Sequence, residues 1–328
     1  MDLLVVTFEA PEEQRAAITH EAGDSVTPVF LSELDGKARS AALRHATVLL
    51  SWNWERELSA EDRELLGSLR LVQFVSAGLD HVPFEEIPPD AAVAGNSGAY
   101  ADPMAEHALA MALALAKRLP QRHEALRRGE FDQRRMGLRI RDQACAIVGY
   151  GGIGKATARL FRALGARILA INTSGRTDDP VEFCGTLDDL DRVLAEADVV
   201  VLTLPLTRRT EGLIGAERLA LMKPEAIMVN VARGALVDED ALYEHLLRHP
   251  DFMAGIDAWW VEPFGSGRFQ LTHPFLDLPN VLGSPHNSAI VPGALTEATA
   301  AAARNIRRFL RDEPVLGLAD RADYARSQ

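Results

Sequence analysis

Residues 144–156 read A-C-A-I-V-G-Y-G-G-I-G-K-A, an apolar run from Ala144 to Val148 followed by Gly149-Tyr150-Gly151-Gly152-Ile153-Gly154. The run predicts a buried strand, and the residues after Gly151 predict a helix. A G-x-G-x-x-G between the two fits the turn that holds a dinucleotide. Gly149 permits the tight turn, Gly151 lets the backbone approach a pyrophosphate, and Gly154 lets the helix pack close to the strand. Gly152 and Ile153 open the helix, whose free N–H groups attract phosphate. Out of the strand–helix context the same glycines would mark no more than a tight turn.

On both sides of this loop, short apolar runs alternate with longer amphipathic ones. Leu3–Phe8, Thr47–Leu50, Leu71–Val75, Arg167–Ile171, Val199–Leu204, Ala226–Val231 and Met253–Asp257 read as strands. Ala60–Ser68, Pro103–Leu119, Gly152–Leu164, Leu187–Ala195, Gly215–Ala220 and Glu239–Arg248 read as helices. Continuous rather than alternating apolar runs suit strands covered on both faces, so the pattern predicts α/β architecture with parallel sheets. A chain of 328 residues is long enough for about two domains. The alternation occurs twice, before residue 98 and again after residue 140. The last helical run, Pro292–Leu310, has no strand after it and is expected to pack on an existing domain.

With 35 Lys and Arg against 47 Asp and Glu, the net charge is −12. That balance argues against nucleic acid or an anionic membrane as partner, since both call for basic patches. The longest apolar stretch, Ala105–Ala116, contains His107 and is too short for a membrane span. The N-terminal MDLLVVTFEA has no basic leader and no small-residue cleavage site. Two cysteines, Cys145 and Cys184, make no disulfide framework, so a cytoplasmic, reducing setting is expected. No His/Cys cluster has metal-ligand spacing, and no metal is expected.

Cofactor choice turns on the end of the strand after the glycine loop. An acid there would bind the ribose 2′-OH of NAD. The strand instead ends in Asn172, 18 positions after Gly154, followed by Thr173, Ser174, Gly175 and Arg176. A neutral Asn does not repel a 2′-phosphate, and Ser174 and Arg176 supply donors for one. This favours NADP, with NAD as the alternative and a polar loop carrying a solvated Arg as the plainer reading.

Downstream lie three isolated features. Arg233 follows the apolar run Ala226–Val231 after a single alanine, where ligands bind in parallel sheets. Asp257 ends another strand, and Glu262-Pro263 follows it. His286 sits in the Gly/Pro loop Gly283-Ser-Pro285-His286. Taken singly they read as a surface ion pair, a loop charge and a loop histidine. Taken together, after a dinucleotide loop, they are better explained as one site.

These residues occur with Ser76-Ala77-Gly78-Leu79-Asp80, Asn96-Ser-Gly98, Ala197–Pro205 and Leu221-Met-Lys-Pro224. In that combination the chain resembles the D-isomer-specific 2-hydroxyacid dehydrogenase family over nearly its whole length. The resemblance implies two Rossmann-like parallel-sheet domains with a cleft between them. The substrate domain would comprise 1–98 plus 291–328, and the dinucleotide-binding domain 99–290. It implies that Arg233 binds the substrate carboxylate and polarises the C2 oxygen. His286 would be the acid/base, and Glu262 would orient His286 and favour its imidazolium. Asp257 would receive the nicotinamide carboxamide, and Pro205 and Ala232 would line the cofactor. Backbone N–H groups of Ala77 and Gly78 would help hold the carboxylate. The chemistry agrees, because hydride addition to a ketone builds negative charge on oxygen, which a fixed cation and a proton donor stabilise. Keto-acid reduction should then weaken as pH rises, and oxidation should show the opposite trend. A homodimer through the helix near 103–119 is a further implication. Within the same superfamily a dehydrogenase acting on formate or phosphite is the alternative. Outside enzymes it is a dinucleotide-sensing corepressor.

The other residues have plainer readings. Trp52 and Trp54 follow a strand end and either line a substrate pocket or are half-buried surface aromatics. Trp259 and Trp260 either roof the site or pack at a contact. Met104 either touches the nicotinamide or caps its helix. His81 and His107 are read as structural, Arg208 and Arg209 as a solvated turn, and Cys145 as core packing.

Overall fold

The computed structural model describes residues 2–324 and divides into two compact units, Met1–Tyr100 with Ile290–Gln328, and Ala101–Ala289. All the strands within each unit's sheet run parallel.

The first unit has five strands: β1 Leu4–Val6, β2 Pro28–Phe30, β3 Val48–Ser51, β4 Leu71–Phe74 and β5 Ala92–Ala94. Their order is β2-β1-β3-β4-β5. Every residue of β1, β3 and β4 is buried. Helices cover both faces, which is why the sequence shows continuous apolar runs. The helix Ala294–Leu310 belongs to this unit. It lays Ala298, Ala302, Ala303 and Ile306 against Leu4, Val6, Leu50 and Leu71. These four positions share one helix face, and their small side chains allow close approach. Asn305 and Asn96 satisfy buried polar groups there, with Asn305 Nδ2 donating to Gln73 Oε1 at 2.7 Å and Asn96 Nδ2 to the Ala298 carbonyl at 2.7 Å.

The second unit has seven strands: β6 Ala144–Val148, β7 Arg167–Ile171, β8 Phe183–Gly185, β9 Val199–Leu202, β10 Ile227–Asn230, β11 Met253–Ile256 and β12 Val281–Gly283. Their order is β12-β11-β10-β9-β6-β7-β8, the doubly wound pattern that reverses direction at β6. The helix Ala101–Ala116 packs on this sheet. A side chain at Gly255 would meet Met111 and Leu115 at 3.4 Å, so the bare backbone of β11 lets the helix settle. Cys145 is buried in β6, and burial pushes its thiol pKa up, as fits core packing.

Four strands lie outside the sequence reading: β2 (PVF), β5 (AVA), β8 (FCG) and β12 (VLG). Each has three residues, too few to show a period, and each lies at an edge of its sheet. The helices Glu12–Ala22, Gly36–His45 and Leu119–Arg127 are also additions to that reading. They are rich in charged residues, and none buries more than three side chains, so the neighbouring sheet rather than the local pattern selects them.

Candidate active site

Every sequence-predicted residue of the second unit lies at the carboxyl edge of its sheet, in strand order. His286 follows β12, Asp257 and Glu262 follow β11, and Ala232 and Arg233 follow β10. Pro205 follows β9, the glycine loop follows β6, and Asn172, Ser174 and Arg176 follow β7. The register fixes this array: Asn230 pairs with Ile256, and Ile256 with Gly283. Three strand ends, at about 4.8 Å per strand, therefore bring Arg233, Asp257, Glu262 and His286 to neighbouring positions.

The His286 and Glu262 side chains are hydrogen-bonded. The imidazole Nδ1 lies 2.8 Å from one carboxylate oxygen of Glu262 and 2.9 Å from the other. Glu262 is held in turn by the Trp259 N–H, which donates to it at 2.7 Å. Both side chains are largely buried, so the pair is poorly screened. His286 has φ of +50°, in the left-handed region that a non-glycine residue enters only under constraint. The constraint is visible: its N–H donates to the Asp257 carbonyl at 2.9 Å. The ring of Phe264 meets the imidazole edge-on, with centroids 5.6 Å apart.

The Asp257 carboxylate is fully buried and accepts from Ser284 Oγ at 2.6 Å, the Asn287 N–H at 3.1 Å and the Ser288 N–H at 3.2 Å. Burial pushes its pKa up. The hydrogen bonds from Ser284, Ser288 and Asn287, with His107 nearby, outweigh this and hold it below the usual carboxylate range.

The Arg233 segment is fixed by Asn230. Buried at the end of β10, Asn230 donates from Nδ2 to the Arg233 carbonyl at 2.7 Å and accepts the Ala232 N–H at 3.0 Å. The guanidinium itself donates from Nη1 to the Ala232 carbonyl at 2.8 Å. Next in sequence is Gly234, where a Cβ would lie 2.3 Å from the Trp259 carbonyl carbon. Only glycine lets the loop after β10 touch the loop after β11, so Gly234 couples Arg233 to the segment carrying Glu262. The sequence reading omitted Asn230 and Gly234. Trp259 and Trp260 pack inside the second unit: Trp259 Nε1 donates to the Ser284 carbonyl at 2.8 Å, and Trp260 stacks on Phe275.

The glycine loop has the shape that its spacing predicts. Gly149 has φ of +102°, and a Cβ on Gly154 would lie 2.1 Å from the Gly149 carbonyl oxygen. Above Gly151 nothing lies within 4 Å, so the second glycine presents bare backbone to open space at the start of the Gly152–Ala163 helix. That combination fits a pyrophosphate. After β7, the Asn172 side chain closes a turn. Its Oδ1 accepts from the N–H groups of Ser174 at 3.0 Å and Gly175 at 2.7 Å, and its Nδ2 donates to the Arg176 carbonyl at 2.9 Å. Asn172 thus shapes the loop, while Ser174 and Arg176 stay exposed.

In the first unit, half-buried Ala77 and Gly78 lie in the loop after β4, and exposed Trp52 follows β3, whereas Trp54 is not a surface aromatic but is fully buried in the core with Leu49, Leu58 and Phe74. Glu57, absent from the sequence reading, accepts the N–H groups of Trp52 and Asn53 and so fixes the Trp52 loop. Among the described residues, no group of three or more His, Cys, Asp or Glu could hold a metal, and no helix is long and apolar enough to cross a membrane.

The fold and the carboxyl-edge array define a dinucleotide-binding α/β protein. More specifically, the family described as D-isomer specific 2-hydroxyacid dehydrogenase, NAD binding domain, matches residues 109–288, and the chain belongs to that family. The chain is 32% identical over 249 residues, 75% of its length, to a D-3-phosphoglycerate dehydrogenase of Methanocaldococcus jannaschii, and it spans only 46% of that longer relative. It is 33% identical over 254 residues to a glyoxylate reductase of Thermococcus kodakarensis, covering 75% of this chain and 74% of that one. Among solved structures, a putative formate dehydrogenase from Pyrobaculum aerophilum aligns with TM-score 0.82 and 30% identity over 99% of this chain and all of that one. A D-isomer specific 2-hydroxyacid dehydrogenase from Xanthobacter autotrophicus, in complex with NADPH and MES, aligns with TM-score 0.78 and 26% identity over 97% and 98% of the two chains.

Proposed function

We propose that the protein is an NAD(P)-dependent enzyme that interconverts a 2-keto acid and a D-2-hydroxy acid. The observation that carries this reading is the His286–Glu262 pair at 2.8 Å, on the strand ends next to Arg233 and in the same sheet as the glycine loop. A bound reduced nicotinamide would supply the hydride to the keto carbon. The chain's residues do the rest. The Arg233 guanidinium holds the carboxylate and stabilises charge on the C2 oxygen. The His286 imidazolium gives its Nε2 proton to that oxygen, which becomes the hydroxyl. Because Nδ1 faces Glu262, the neutral ring keeps its proton on Nδ1 and leaves Nε2 free to take one back in the reverse reaction. Asp257 Oδ2, with one protein donor, has capacity left for the carboxamide. Pro205 and Ala232 line the cofactor between its two ends.

The coenzyme is NADP in preference to NAD. Asn172 is neutral, and Ser174 and Arg176 are exposed beside it. The N–H groups of Ala77 and Gly78 are proposed donors to the carboxylate, and Trp52 a neighbour of the substrate side chain. The unit Met1–Tyr100 with the C-terminal helix would be the substrate domain and Ala101–Ala289 the coenzyme domain. Exposed Leu119, Leu126, Phe131 and Met136, clustered in sequence after the Ala101–Ala116 helix, support a homodimer, which sedimentation at several concentrations tests. The reaction is tested with glyoxylate, hydroxypyruvate and a phenyl-substituted keto acid, each with NADPH and NADH. Coenzyme binding without turnover of any keto acid would overturn the reading.

A further inference from the structure

Two side chains at the site, His107 and Ser284, have no part in the chemistry above, yet they lead to Asp257. His107, on the Ala101–Ala116 helix, places Nε2 2.9 Å from Ser284 Oγ. Ser284 Oγ lies 2.6 Å from Asp257 Oδ1, and His107 Nε2 lies 3.6 Å from that same oxygen. The contacts join the helix to the loops after β11 and β12.

Proton bookkeeping fixes the direction of these bonds. A serine hydroxyl has one proton. Three acceptors could take it: the Asp257 carboxylate at 2.6 Å, a proton-free His107 Nε2 at 2.9 Å and the Met111 thioether at 3.9 Å. A carboxylate at that distance is much the strongest acceptor, so the proton points at Asp257. Ser284 Oγ then turns a lone pair to His107, whose Nε2 must carry a hydrogen. His107 therefore orients the Ser284 hydroxyl, and the hydroxyl orients the carboxylate. The remaining Ser284 groups are also fixed: its N–H donates to the Ile256 carbonyl at 2.9 Å, and its carbonyl accepts Trp259 Nε1. A serine held this firmly has only its hydroxyl torsion left to set, and His107 sets it. Asp257 Oδ1 receives Ser284 and Asn287, while Oδ2 receives Ser288. Rotation of the carboxylate would exchange these roles and remove the less occupied oxygen from its place.

We propose that His107, acting through Ser284, is a positioning residue for the Asp257 carboxylate and so for the nicotinamide carboxamide. This rests on the reading of Asp257 as the carboxamide acceptor. Its readout is binding to the full-length protein, measured by titration with NADPH and with the reduced 3-acetylpyridine analogue, in which a methyl group replaces the carboxamide NH2. H107L should weaken NADPH binding about threefold to tenfold, the worth of one hydrogen bond, and weaken the analogue less than twofold. H107Q, which keeps an N–H donor on a side chain of similar reach, should recover most of the loss. S284A should behave as H107L does, and it keeps the test open if H107L fails to fold. The double variant H107L/D257A should bind NADPH no worse than D257A. Equal weakening of both coenzymes by H107L and S284A, or of neither, would overturn the proposal while leaving Asp257 its role, provided D257A discriminates between the two. A D257A variant that binds NADPH as the native protein does would instead remove the reading of Asp257 itself.

Discussion

Two alanine substitutions in the glycine loop separate packing from ligand binding. At Gly154 a methyl group would lie 2.1 Å from the Gly149 carbonyl oxygen and 3.0 Å from both Ile147 Cγ2 and Thr203 Oγ1. The Gly149 oxygen cannot simply retreat, because Thr203 Oγ1 donates to it at 2.6 Å. Relief requires the helix to move by about 1 Å, an overpacking that costs roughly 1–3 kcal/mol. For a unit of this size each kcal/mol is worth about 2–4 °C, so G154A should lower Tm by about 2–12 °C. At Gly151 no atom lies within 4 Å of the added methyl, and φ of −86° suits alanine. G151A should therefore keep the native Tm to within about 1 °C, since surface substitutions of this kind cost little. The same methyl occupies the space into which the pyrophosphate would come. Loss of one backbone N–H contact to phosphate, plus the clash, should raise the NADPH Kd at least about tenfold, or roughly 1.4 kcal/mol. Differential scanning fluorimetry and a fluorescence titration on the same samples read both quantities. A G151A protein with native Kd would refute the assignment of the loop as the coenzyme cradle. A G151A protein as destabilised as G154A would refute the packing argument.

E262Q removes the charge behind His286 while keeping its size, and kcat for keto-acid reduction should fall about 100-fold or more with NADPH Kd unchanged; equal turnover would remove Glu262 from the mechanism. R176A should raise the Kd of NADPH at least about fivefold and leave that of NADH within twofold, as expected if its guanidinium meets a 2′-phosphate. F264A opens the edge-on contact with the His286 ring, so KM for a phenyl-substituted keto acid should rise more than KM for glyoxylate, and a uniform change would place Phe264 outside the pocket. His245 carries a pKa lowered to about 4 by burial first and by His249 and Arg248 next, and its Nε2 has no hydrogen-bond partner. Between about pH 6.5 and 4 the unfolded chain binds the proton that the folded chain refuses, so stability is full above that window and falls as pH drops through it. H245L should narrow the gap in Tm between pH 7.5 and pH 5 by a few degrees, and an unchanged gap would show that other groups govern the acid limb.

The pattern along the chain was enough to specify a doubly wound coenzyme unit. β6 and the glycine spacing carry local information, because a strand, a tight turn and a helix start are all made by residues adjacent in sequence. The candidate site residues were legible for a related reason: parallel strands present their next few residues at one edge, so Arg233, Asp257, Glu262 and His286 follow their strands by one to six positions. The three-residue edge strands were not legible, since a run such as PVF or VLG has no period and forms only where a neighbour offers its unpaired backbone. Nor did any pattern mark Gly234, which must be glycine because the Trp259 backbone comes against it from the next strand's loop. His107 read as a plain helix residue, yet it meets a serine 177 positions away. Order along one strand is written in the chain; which atoms of distant loops share a hydrogen bond is decided only by packing, because a bond of about 3 Å depends on register, rotamer and burial together.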